Sequence, residues 1–92
     1  MQFEQSASRG SIFQEHQSDV IIQSLDHLLI MAQRYRSEGN LRQAMDIYWT
    51  LSEDHSDTAQ GQGAQDKLLE LAGVYERDGY RHQARAVYER LL

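Results

Sequence analysis

Cysteine and proline are both missing from the 92 residues, and lysine occurs once, as Lys67. Without cysteine, neither disulfides nor thiolate metal sites can form, which suits a reducing compartment. Without proline, nothing forces a break in a long helix. One lysine and a net charge of −5 leave no basic patch of the kind that neutralises phosphates, so no nucleic acid partner is expected. Anionic membrane surfaces are disfavoured for the same reason. No continuous apolar run could serve as a signal peptide or a membrane span. The expectation is a soluble, cytoplasmic protein that engages no membrane.

What is present is charge of uneven placement and apolar residues of helical spacing. Glu53, Asp54, Asp57 and Asp66 follow one another with no base between them, so the acidity sits mid-chain. Residues 1–17 are rich in Gln, Ser and Glu with no period, and read as a disordered N-terminal arm. Within it, the Ile12-Phe13 pair could dock in a groove, or belong to a plain tail. A chain this short is marginally stable unless association helps.

Helical periodicity begins at Ser18, a plausible N-cap, with Asp19 in the first turn. Ile21, Leu25, Leu28, Ala32 and Tyr35 step by four and three along one stripe. Val20, Ile22, Leu29 and Ile30 widen it, which predicts a helix buried on more than one side. Gly39 stops it as a C′ residue. Asn40 with Gln43 has capping-box spacing and opens a second helix carrying Leu41, Ala44, Ile47, Tyr48 and Leu51.

The design then returns forty residues on. Aligning 26–52 with 66–92 without a gap gives ten identities in 27 positions, against about two for unrelated segments. Asp26/Asp66, Leu28/Leu68, Ala32/Ala72, Tyr35/Tyr75, Gly39/Gly79, Ala44/Ala84, Tyr48/Tyr88 and Leu51/Leu91 are among them. Such internal repeats mean stacked supersecondary units. The expected fold is all-α: two stacked antiparallel helix hairpins, with helices over 19–38, 41–54, 58–78 and 80–91. Residues 18–57 form the first repeat and 58–92 the second. Gly61 and Gly63 each cost about 1 kcal/mol against alanine in a helix, so the third helix is expected to start frayed.

The retained residues resemble the tetratricopeptide repeat. The first copy reads Leu28, Met31-Ala32, Tyr35, Gly39, Ala44, Tyr48, Leu51, and the second Leu68, Leu71-Ala72, Tyr75, Gly79, Ala84, Tyr88, Leu91. The period of forty, longer than the family's usual 34, looks like the long repeats of kinesin light chains and Pins-type adaptors. The resemblance implies a protein-binding adaptor or scaffold whose groove, lined by the first helix of each hairpin, holds a peptide or helix of a partner. Carried onto this chain, the groove positions are Asp26, Leu29, Gln33, Arg36 and Ser37, then Asp66, Leu69, Gly73, Glu76 and Arg77. Leu29 and Leu69 would form an apolar strip, Gly73 a gap for a side chain, and Arg36 with Arg77 carboxylate clamps. The family's chaperone-tail clamp needs a lysine and asparagines where Leu29, Gln33 and Glu70 stand, so that ligand is not implied.

Repeat arrays expose the stacking face of the last hairpin. Val87, Leu91 and Leu92 therefore need cover, and self-association as a homo-oligomer is the economical answer. Trp49, whose counterpart is Glu89, either packs in the core or anchors an interface. The remaining readings are a purely structural self-assembly module and a non-catalytic accessory subunit of an enzyme complex.

Enzymatic signatures are wanting. No histidine stands in HExxH spacing, no serine in a GxSxG elbow, and the glycines of GQG match no phosphate-binding loop. Glu53, Asp54, His55 and Asp57 read as a solvated loop, because ligands so close in sequence need an enforced geometry to hold an ion. No metal, cofactor or catalytic residue is expected.

Overall fold

The structure, a computed structural model, describes the backbone of residues 2–92 and the side chains of 19–92. Four helices follow one another: α1 Gln2–Ser37, α2 Leu41–Asp54, α3 Ala59–Arg77 and α4 Arg81–Leu91. There is no strand among the described residues, and the chain is all-α, built as two helix hairpins. None of its described helices is long and apolar enough to cross a membrane.

α1 starts at Gln2, not at Ser18. The backbone of 2–17, expected as a disordered arm, continues the helix, and Ser18 lies inside it. That stretch has no proline and a single glycine, Gly10, so no residue in it forbids helical hydrogen bonding. The docking role considered for Ile12 and Phe13 falls on side chains outside the described residues.

Both hairpins turn in the same way, and the glycines explain it. Gly39 and Gly79 have φ of 85° and 86°, in the left-handed region that costs other residues about 1–2 kcal/mol. Each sits in a Schellman motif. Asn40 N–H donates to Tyr35 O at 2.8 Å and Gly39 N–H to Arg36 O at 3.1 Å. Tyr80 and Gly79 repeat the pair on Tyr75 O and Glu76 O at 2.7 and 3.2 Å.

The capping box expected at Asn40 and Gln43 does not form, since the Asn40 side chain makes no cap hydrogen bond. Its backbone N–H, which a capping box would give to Gln43, is already donated to Tyr35. Tyr80 takes the same place with nearly the same backbone angles, so the side chain there is immaterial. Asn40→Ala should therefore shift stability by less than about 0.5 kcal/mol in urea unfolding, where loss of a working cap would cost about 1.

Small residues set the helix spacing. Ala32, Ala44, Ala64 and Ala72 are wholly buried and Ala84 nearly so, letting helices approach closely around Tyr48, Leu51, Leu68 and Leu71. Tyr48 is fully buried, and Tyr35, Tyr75 and Tyr88 are half-buried, so no signature tyrosine lies open to water. Trp49 packs in the core at 7% exposure, with the Arg90 guanidinium 4.2 Å above its ring.

The start of α3 is anchored, contrary to the fraying expected from its glycines. Thr58 Oγ1 accepts from Gly61 N–H at 3.0 Å and donates to His55 O at 2.6 Å. Gly61 is buried against the end of α2, and a Cβ placed there would meet the backbone of His55, and Leu51 O at 2.8 Å. Glycine is required at 61 for helix contact, whereas Gly63 faces open space.

The wide burial expected for α1 also fails. Val20, Ile21, Ile22 and Ile30 are all exposed. Asp26 lies opposite Gln60 near the start of α3, and α2 ends at Asp54. Both neighbouring helices thus stop near the level of Asp26, so residues 20–22 project beyond them. Ile30 is exposed for another reason, given below.

Candidate functional site

Helical spacing places Asp26, Ile30, Gln33 and Ser37 on one stripe of α1, and Asp66, Glu70, Gly73 and Arg77 on the matching stripe of α3. All but Gly73 are exposed, and Gly73 is half-buried with no atom within 4 Å of where its Cβ would lie. These stripes lie away from the α1 side chains Leu25, Leu28 and Ala32 that belong to or pack on the core.

The groove positions carried over from the repeat divide into two sets. Gln33, Ser37, Asp66, Gly73 and Arg77 lie on the open stripes, and Arg77 joins no ion pair among the described residues. Leu29 packs against the core, while its counterpart Leu69 is 47% exposed. The continuous strip expected from Leu29 and Leu69 is therefore not available at its Leu29 end.

Arg36 is not a free clamp. Its guanidinium donates to Glu70 Oε1 at 3.0 Å, joining the two hairpins, and Lys67 Nζ stands 3.6 Å from the other oxygen. Asp26 is likewise engaged, accepting from Gln60 Nε2 at 2.8 Å. The repeat counterpart of Asp26 is Asp66, and that of Arg36 is Glu76, so neither residue faces its own copy. The second hairpin has slid by several residues along the first.

Hydrogen bonding from Arg36, aided by its charge and that of Lys67, holds the Glu70 carboxyl below the ordinary carboxylate range. Arg90 does the same for Glu53 through two bonds of 3.0 and 2.9 Å. A carboxyl lowered on folding stabilises fully above its unfolded value and loses that contribution as pH falls through the folded value. Between about pH 5 and pH 3, wild type should lose more thermal stability than Glu70→Gln, by less than about 1 kcal/mol because the pair is solvent-exposed. Melting curves across that range check it; parallel losses would mean the Arg36–Glu70 pair does not contribute.

Burial pushes the Tyr48 hydroxyl above its ordinary pKa, with the Arg36 charge acting in the opposite direction. That hydroxyl is buried with no hydrogen-bond partner, and a titrating role is not suggested by its place in the core. No three His, Cys, Asp or Glu side chains converge among the described residues.

Ile30 was missed as a candidate because its apolar character placed it in the core. The alignment held the signal, since its counterpart Glu70 is charged and a repeat position tolerating both faces water. Of the interface residues proposed from sequence, Trp49 and Val87 are buried in the core. Trp49 is covered by Arg90, which its position on the outer helix did not foretell. Leu91 is half-buried and Leu92 exposed.

Two recesses flank these elements. One, of about 270 Å³, lies between α2 and α4 and is lined by Met45, Trp49, Tyr75, Val87 and Arg90. Within it the Tyr75 hydroxyl donates to Met45 Sδ at 3.3 Å. The other, of about 580 Å³, lies on the outer side of the second hairpin among Glu76, Arg81, Arg85, Tyr88 and Glu89. Comparison with protein-family models, with curated proteins and with solved structures finds no match to this chain.

Proposed function

We propose that this chain is a tetratricopeptide-like protein-interaction module that binds an extended or helical segment of another protein across α1 and α3. The observation that carries the reading is the open face of those helices. Ile30, 56% exposed, is a large apolar side chain on that side, and Gly73 leaves an open notch. An apolar anchor beside a gap and hydrogen-bonding side chains such as Gln33 suit a peptide held by a few pockets. Arg77 supplies a cation for a carboxylate. Support also comes from the repeat signature, whose alanine and tyrosine positions coincide with the buried and half-buried ones. A cytoplasmic setting belongs to the same reading, on the grounds of an absent cysteine.

Gly73→Arg fills the notch from a position where a Cβ meets no atom within 4 Å, and Ile30→Asp removes an anchor that takes no part in the core. Each should lower partner capture from native lysate by at least about tenfold, the effect of losing one interface anchor, with helicity unchanged. Capture that survives both changes puts the binding face elsewhere. Leu29→Asp is a poor test, since it would also injure the core.

A further inference from the structure

The seam between the hairpins has an uncovered counterpart on the outer side of the second one. Tyr48 and Leu51 are fully buried in the seam, while their copies Tyr88 and Leu91 are only partly covered. Leu29 packs there against the core, while Leu69 stands exposed. Around this apolar centre lie two acids and two bases, Glu76 and Glu89 with Arg81 and Arg85. Their charges balance, so two such faces can meet without net repulsion.

We propose that this outer face of α3 and α4 pairs with the same face of a second copy of the chain about a two-fold axis. A two-fold contact needs a self-complementary surface, and a face bearing both signs, with Arg85 and Glu89 paired on it at 2.9 Å, admits one where a face of single sign would not. Head-to-tail stacking, the other way two copies could join, is opposed by the residues themselves. In the seam, the second hairpin presents Gly61 for close approach and Glu70 to pair with Arg36. The first hairpin has Ile21 and Ile30 at those positions, and Glu76 replaces Arg36 on the face they would meet. Neither the close contact nor the ion pair can be repeated, so a closed dimer is favoured over a growing array.

The test is light scattering of the full chain across micromolar concentrations, with two charge-reversed variants. One carries Arg81→Glu with Arg85→Glu, and the other Glu76→Arg with Glu89→Arg; all four residues are exposed. Wild type should run at twice 10.7 kDa. Each variant alone should dimerise at least about 100-fold more weakly, because like charges then oppose one another, and an equimolar mixture should regain the doubled mass. Circular dichroism confirms that each variant stays helical. A wild type of single mass throughout, a doubled mass indifferent to both reversals, or a mass that keeps rising with concentration overturns the proposal. The dimer rests on hairpin stacking and not on the groove, so Ile30→Asp should keep the doubled mass whatever it does to partner capture.

Discussion

Gly61→Ala should destabilise the protein by about 2–4 kcal/mol, with a matching fall in the urea midpoint. Intrinsic propensity alone would make the change favourable by about 1 kcal/mol, so the sign of the result is decisive. The new methyl meets the backbone of His55 and Leu51, which can yield only if the end of α2 moves. Overpacking of a tight contact typically costs 1–3 kcal/mol, and the bond from Gly61 N–H to Thr58 is strained with it. Gly63→Ala, two residues on and facing open space, is the control and should gain up to about 1 kcal/mol. A small domain can hold as little as about 5 kcal/mol in total, so the Gly61 variant should keep only about 1–3 kcal/mol of it. Equal gains from both changes would mean that α3 does not pack against α2 as described.

Leu68→Ala should cost about 3–4 kcal/mol, and Leu28→Ala at most about half as much. The two leucines occupy the same repeat position, but Leu68 is fully buried and Leu28 only half-buried. The difference arises from neighbours. Leu68 has a hairpin on its far side, and Leu28 does not. Truncation of a buried leucine loses transfer free energy and leaves a cavity, whereas a partly exposed one loses less of both. Chemical denaturation of the two variants gives both numbers. Equal costs would imply that the hairpins fold side by side without stacking.

These two cases show where the sequence was legible and where it was not. Helix boundaries from residue 37 onward were readable within about two residues, because Gly39 and Gly79 punctuate the chain and the repeat fixes the phase. Gly61 misled because propensity describes an isolated helix, while its role depends on a backbone brought near by tertiary packing. Asn40 misled in a similar way, since its cap spacing was real but its N–H was already spent on the turn. The apolar residues of α1 suggested wide burial, yet burial depends on how far the neighbouring helices reach. Within the candidate groove, positions such as Gln33, Gly73 and Arg77 came from the resemblance to the repeat, and helical spacing puts them on the open stripes. The loss of Arg36 and Asp26 to Glu70 and Gln60 did not follow, because the slide between hairpins is set by packing and has no sequence period of its own.

The most direct test of the stacked hairpins uses the single tryptophan in a nuclear Overhauser spectrum of the intact chain. Stacking puts the Trp49 ring of the first hairpin against the Arg90 side chain of the second, so cross-peaks from the indole to the Arg90 side-chain methylenes are expected. A helical chain that lacks them, with the indole resonance at its solvent-exposed position, would contradict the arrangement on which both the groove and the dimer face depend.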